Sequence, residues 1–505
     1  MSSRILDWFM VSFLASLMTC SESFIFPGVY KSQKTNVFLE GPFSPVSKEN
    51  SVECKIKGVI PRVIQDSIFS RVGPNPHFEP RGGYHLFDGD GMIHWVDFAT
   101  LNNNRTVMYH NRYICTEKLM AEQEVGRALF VNVGDFCKPF ALLKIMMKEV
   151  LKVFSLFPKI PKSHMSVANT NVVQHGSKTL VLCESGLPYS VELSSDGLRT
   201  TGVESFGGFL EDSFTAHPKT DPVSGKMYGF CSDGSKIINM CVFGSDGTPE
   251  TSFPVRMREP TLMHDFAMTS DHLLILDMPL VYNMKLLFQG KIPVEFNRNQ
   301  TSRFGVLDKG DATGSSLRWF EFPGEPFMIS HVVNAHHDSG KIMLITCDMS
   351  TLSLKDVCSS VSVLHKTTID LSTGSVDRVP VLVPNNLSLD FPVINKSRTG
   401  LHNRYAYVTE FKNGIPGNIL KIDLVLGEIA GSTEINLDEC TGECCFVSDG
   451  RFEDEGYVLS FVTSKDDSKL CIWDARDMNL VGSVEVPVRI PLGFHANMLK
   501  KVLDA

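Results

Sequence analysis

Fifteen histidines stand in this chain of 505 residues, and imidazole is the side chain best suited to hold a transition metal or move a proton near neutral pH. Four of them have distinctive surroundings: Ser213-Phe-Thr-Ala-His217-Pro-Lys, Thr261-Leu-Met-His264-Asp-Phe, Ile329-Ser-His331-Val-Val-Asn334-Ala and Pro491-Leu-Gly-Phe-His495-Ala. Their separations of 47, 67 and 164 residues are far too wide for a local metal motif, so spacing alone reads each as a packed or surface residue. Other chemistries lack their signatures. No glycine-rich phosphate loop runs from a strand into a helix, and there is no G-x-S-x-G elbow and no H-E-x-x-H pair. Thirteen scattered cysteines give no disulfide framework. Their one cluster, Cys440-Thr-Gly-Glu443-Cys444-Cys445, lacks a second ligand pair at zinc-finger spacing, which leaves reduced, partly buried thiols as the expectation. Phe87-Asp-Gly-Asp90-Gly lacks the spacing and distal glutamate of a calcium loop and reads as a strand and turn.

Whether distant histidines can meet depends on the elements that carry them. With 43% hydrophobic and 21% charged residues the chain can bury a large core, which excludes disorder. Forty-eight basic against 57 acidic residues give a net charge of −9, which repels a phosphate backbone, so no nucleic-acid partner is expected. Beyond residue 40, short apolar runs alternate with Gly, Asp, Asn and Pro: TLVLCE, YSVELSSDG, HLLILDMP, KIMLITCD, RYAYVTE, GYVLSFV, LCIWDA. About 25 such strand signals without alternating helical periods predict one large closed β-architecture, with a propeller first among the candidates. In a propeller the inner strands of different blades converge on the axis, so ligands separated by whole blades can meet.

Two segments stand apart. Residues 1–40 begin with Arg4 and an apolar run to Cys20, charged only at Asp7, followed by Ser21-Glu22-Ser23. The run resembles a signal peptide and falls short of the ~20 residues that span a bilayer. Phe24-Ile-Phe26-Pro27, with Lys31, Ser32, Lys34 and Thr35, then resembles the bipartite plastid presequence of algae with complex plastids, although Glu22 replaces the usual small residue. Plastid import is the expectation, with secretion or a cytosolic protein as alternatives. Residues 139–158, PFALLKIMMKEVLKVFSLFP, place Lys144, Lys148 and Lys152 in one helical stripe, with Leu142, Ile145, Met146, Val150, Val153, Phe154 and Phe157 over the rest. An amphipathic helix docked on a membrane is expected; its rival is a helix that packs on the protein. The apolar stretch Pro279–Phe288 could assist the docking or could equally be an internal strand and loop.

Longer motifs carry a resemblance. Gly41-Pro-Phe-Ser-Pro45, Phe87-Asp-Gly-Asp-Gly-Met92, Glu184-x-x-x-Pro188-Tyr189, Ala216-His-Pro-Lys-Thr-Asp-Pro-Val-Ser-Gly225, Met263-His-Asp-Phe266, Arg303-Phe-Gly-Val306, Asn334-Ala335, Asp390-Phe-Pro392 and Pro491-Leu-Gly-Phe-His495, in this order, resemble the carotenoid cleavage dioxygenase family. SFTAHPK and DFP resemble most its plant-type 9,10(9′,10′)-cleaving subgroup. The resemblance runs over 41–505, implying one catalytic domain behind a 1–40 presequence. It implies an all-β-dominated fold, a seven-bladed β-propeller with the metal on the axis and a helical and loop cap over one face. It also implies that His217, His264, His331 and His495 bind one Fe(2+) per chain, surrounded by Glu184, Asp390 and Glu443. Imidazole suits iron, and four neutral ligands leave octahedral positions open for O2. The acids would balance the metal's charge and accept the ring N–H groups.

Some positions depart from the family pattern. Asp390 is shorter than the glutamate of several subgroups, which alters reach but not charge. His336-His337-Asp338 stands where an aromatic and then acidic residues are usual, a local change that leaves open a fifth, alternative ligand. Ser448 replaces a common proline. Leu492 replaces a common tyrosine and is expected near the iron, where it bears on substrate positioning.

The resulting expectation is a non-haem iron dioxygenase. It would split a conjugated double bond of a carotenoid or apocarotenoid with O2 into two carbonyl products, with 9,10(9′,10′) as the preferred site and no external reductant. Thirty-four Phe and 21 Met could line an apolar tunnel. An isomerohydrolase or stilbene-cleaving member of the family, or a carotenoid-binding propeller without turnover, are the alternatives.

Overall fold

The computed structural model describes residues 36–500 except 81–82, 102–105, 138–140, 154–156, 195–196, 353–358 and 384–385; the expected leader therefore lies almost wholly outside the described residues. The apolar runs become strands: Lys178–Leu182, Tyr189–Ser194, His272–Asp277, Lys341–Met349, Tyr405–Lys412, Gly456–Thr463 and Ser468–Asp474. Their unbroken apolar character has a packing cause. His272–Asp277 is buried at every position because its sheet is covered on both faces, and one hydrophobic cluster joins Tyr228 and Met240, Leu274 and Phe304, and Ile342 and Ile369 from three successive sheets. Strands buried on both faces lose the alternation that a half-exposed strand shows. Ladders between neighbouring strands are antiparallel throughout the described sheets, which tight turns permit. The hairpin between Met328–Asp338 and Lys341–Met349 turns on Ser339 and Gly340, both with positive φ (50° and 76°), the turn whose twist matches that of paired strands.

Five four-stranded sheets and a two-stranded one, Leu280–Tyr282 with Val294–Phe296, stand separately, and a further sheet contains nine strands. Seven separate blades are thus not what the hydrogen bonding forms. The reason is the strand Asn50–Gly58, which pairs with Leu480–Val486 on one side and Thr106–Tyr113 on the other. It joins two four-stranded runs into one continuous ladder. At one end of that sheet lies Cys445–Ser448 and at the other Ala496–Lys500, which pairs with Ser67–Pro74. The first and last parts of the described chain are therefore hydrogen-bonded to each other.

Each separate four-stranded sheet also has an edge strand turned inward: Asn171–His175, Lys219–Thr220, Ala267–Met268, Met328–Asp338 and Ser388–Val393. With the two ends of the nine-stranded sheet this makes seven edges, and residues from all seven line one central cavity.

The α-helices among the described residues lie between strands. Glu117–Val125 is capped by Thr116, whose hydroxyl accepts from Leu119 N, and stops at Gly126 with φ 73°. The amphipathic segment forms a helix over Ala141–Val153; of the rest of the expected 139–158 span only residues 157–158 are described, and they are not helical. It lies beside Met284–Gln289, a 3₁₀ turn that follows the short strand Leu280–Tyr282. No helix among the described residues is long and apolar enough to cross a membrane.

Candidate metal centre

The four singled-out histidines lie together. One ring nitrogen of each of His217, His264, His331 and His495 is within 4.8 Å of the others. Nε2 of His264 is 3.0 Å from that of His217 and 3.3 Å from that of His331. The rings meet steeply, with interplanar angles of 69–82°.

Each histidine is carried by an edge strand or the turn into one. His217 precedes Lys219–Thr220; its N–H donates to Thr215 Oγ1, and Thr215 N–H donates to Phe230 O of the adjoining strand. His264 precedes Ala267–Met268. His331 lies within Met328–Asp338 between two breaks in register, and bulges of this kind re-aim side chains. His495 precedes the last strand, its N–H bonded to Thr170 O.

The outer nitrogens of three of the rings lie against acids. His331 Nδ1 is 2.6 Å from Asp390 Oδ1, and His495 Nδ1 is 2.9 Å from Glu443 Oε1. His264 Nδ1 lies 2.6 Å from Glu184 Oε1. An N–H pointing at a carboxylate leaves Nε2 with a bare lone pair. Several lone pairs about 3 Å apart repel unless a cation lies between them, and nitrogens about 2.1 Å from a metal at right angles are themselves about 3.0 Å apart. The residues present fit a metal ion on both counts.

Electrostatics agree. Burial, reinforced by the other three rings, holds His217 well below the ordinary imidazole value, so it is neutral and able to ligate. For His264 burial acts downward, but Glu184 more than offsets it and the net shift is upward. Burial would raise Glu184 and Asp390; the facing histidines reverse this and hold both below the usual carboxylate range. Exposure is uneven. The side chain of His264 is 32% exposed against 6% for His495, so the cluster opens on the His264–Glu184 side.

A second set of residues supports the first, and sequence reasoning missed it. Asp265 accepts from Val332 N–H at 2.8 Å and pairs with Lys219 Nζ at 2.8 Å. It thereby ties the His217, His264 and His331 edges together. The signal was present, because Asp265 adjoins His264 and Lys219 lies two residues beyond His217, but adjacency does not reveal a bridge between sheets. Asn171 Nδ2 donates to Ala216 O, and Asn334 Nδ2 to the carbonyls of Arg398 and Leu401.

The fifth ligand left open at His336-His337 is not in reach: His336 packs edge-on against His402 and His337 faces Asp271. Leu492 is buried, its N–H bonded to Pro42 O in the Gly41–Pro45 motif. Cys440, Cys444 and Cys445 are buried free thiols. Asp88 accepts from the N–H groups of His85, Val133 and Gly134, a loop-pinning role rather than a calcium site. The central cavity, about 180 Å³ with Val332, Ile394 and Phe446 as well as Lys219, Asn334 and Lys396 in its walls, is smaller than the roughly 300–1,000 Å³ of ordinary ligand pockets.

The sequence model of the family described as retinal pigment epithelial membrane protein matches residues 43–499. The carotenoid 9,10(9′,10′)-cleavage dioxygenase 1 of Arabidopsis thaliana is 32% identical, covering 91% of this chain and 89% of that protein. A chloroplastic 9-cis-epoxycarotenoid dioxygenase of Oryza sativa subsp. japonica is 30% identical over 90% of this chain and 74% of its own. Among solved structures, the lignostilbene dioxygenase of Pseudomonas brassicacearum superposes with a TM-score of 0.79 at 23% identity, covering 92% of this chain and 99% of that one.

Proposed function

This chain belongs to the retinal pigment epithelial membrane protein family, the carotenoid oxygenases, and is a dioxygenase; from that premise we propose that it cleaves a conjugated double bond of a carotenoid or apocarotenoid, using Fe(2+) held by His217, His264, His331 and His495. The observation that carries this reading is the convergence of four imidazole nitrogens, with acids at the outer nitrogens of three of the rings.

The reaction balances without a reductant. The carbon–carbon double bond and the O–O bond break, two C=O bonds form, the two carbons are oxidised and O2 is reduced. When bound, iron(II) would supply a spin-allowed route for the activation of dioxygen. The chain's own contribution is positional. Asp390 and Glu443 engage Nδ1 of His331 and His495, and Glu184 lies against Nδ1 of His264, so that Nε2 of each faces inward. Burial of His217, His331 and His495 excludes water from three sides, and the opening at His264 is assigned to the substrate.

The preferred bond is taken as 9,10(9′,10′), after the relative with that name. The nine-stranded sheet is taken as two blades fused by Asn50–Gly58, which with the five separate four-stranded sheets gives a seven-bladed propeller. Residues 41–505 are read as its single catalytic unit, capped by the helical insertions. Residues 1–40 are read as a plastid presequence, in keeping with a chloroplastic relative, and the 141–153 helix as a membrane contact.

The test is mass spectrometry of products from iron-loaded chain given a carotenoid, an apocarotenoid, a retinyl ester and a stilbene. Two carbonyl fragments from a carotenoid or apocarotenoid, lost in His331→Ala together with bound iron, are expected. Turnover of the ester or stilbene alone would replace this reading, and full activity with zinc in place of iron would end it.

A further inference from the structure

His337 lies six residues beyond His331 on the same strand, which at about 3.3 Å per residue places it about 20 Å from the histidine cluster, near the Ser339-Gly340 turn. Asp271 and His272 stand at the start of His272–Asp277 in a neighbouring sheet. Rings of His272 and His337 meet edge to face, centroids 4.9 Å apart at 89°.

In both rings one nitrogen is engaged and the other is not. His337 Nδ1 is 3.1 Å from Asp271 Oδ2, while its Nε2 is buried with no hydrogen-bond partner among the described residues. His272 Nδ1 is 3.3 Å from Thr269 Oγ1, while its Nε2 lies 3.8 Å from Asp308 Oδ1, beyond hydrogen-bond reach. His337 Nδ1 and the Asp271 carboxylate thus face one point, where a cation can take the place of the proton between them.

We propose that Asp271, His272 and His337 form a second metal site, for a divalent cation of the zinc class, that clips two neighbouring sheets together. One donor atom of each lies within 4.8 Å of the other two. Ligand atoms around tetrahedral zinc are about 3.3 Å apart, a contraction that side-chain rotation of the exposed Asp271 can supply. Two imidazoles with carboxylate suit zinc better than magnesium or calcium. Asp308 adds negative charge at the rim. Lys309 contacts the carbonyls of Thr269 and Ser270 but is paired with Asp221, which offsets its charge. The bound ion would fasten the strand that carries His331 to the sheet beside it and stabilise the folded chain by mass action.

Dialysis of the full chain against micromolar zinc, followed by metal counting, tests this. The unaltered chain is expected to hold one zinc more than His337→Ala, and its melting temperature to rise with zinc where that of the variant does not. Asp271→Asn, at the surface, is expected to bind this zinc at least tenfold more weakly and serves if His337→Ala does not fold. Equal zinc in the unaltered chain and either folded variant overturns the site. Because the readout is a difference in zinc count, it stands whichever metal fills the four-histidine cluster, so its failure leaves the dioxygenase reading untouched.

Discussion

A single carboxylate can hold a metal ligand and the backbone beside it. Glu443 does both: Oε1 lies 2.9 Å from His495 Nδ1, and Oε2 accepts from Ala496 N–H at 2.7 Å. Glu443→Gln keeps the shape but loses the charge, and its amide can satisfy only one of the two donors. Metal affinity or turnover is expected to fall about 10–100-fold, with the fold retained by circular dichroism; iron content and product rate at wild-type levels would remove Glu443 from the centre. Asp390 reaches His331 at 2.6 Å despite its short side chain, because Ser388–Val393 departs from regular pairing between Asp390 and Val393. The residue type was legible in the sequence; the break that brings it close was not.

At the scale of elements, the 141–153 helix shows how far periodicity carries. The lysine stripe and apolar remainder predicted a helix, and a helix forms. Which residues face outward is a tertiary matter. Met146 and Val150 are exposed on it, and Met284 and Phe288 are exposed on the neighbouring 3₁₀ turn, so two segments distant in sequence share an apolar surface region. Phe154, a candidate from periodicity, lies outside the described residues. Replacing Met146, Val150, Met284 and Phe288 together with Ser is expected to lower binding to anionic liposomes and slow turnover of a membrane-held carotenoid, while an apocarotenoid in detergent is cleaved at the usual rate. Equal loss on both substrates with a lower melting temperature would mean that these side chains serve the fold.

Across the whole molecule, closure is carried by the last strand. Ala496–Lys500 completes the nine-stranded sheet by pairing with Ser67–Arg71, and Asn497 Nδ2 reaches Val172 O of the adjacent sheet. Removal of residues 497–505 retains all four histidines yet opens an edge beside His495. A lower melting temperature and reduced iron content are expected by calorimetry and metal analysis; unchanged values would show that the ring closes without this strand. The sequence by itself determined the strand-rich architecture, because strand periodicity is a local property, while the four histidines and three acids could be singled out only through the longer motifs that resemble the family. Only the tertiary structure decided that five four-stranded sheets stand apart while nine strands fuse, that Asp265 and Lys219 brace the histidine edges, and that His337 faces Asp271 instead of the four-histidine centre. Each of these depends on which edges meet, and hydrogen bonds and packing between strands hundreds of residues apart leave no mark in the spacing along the chain.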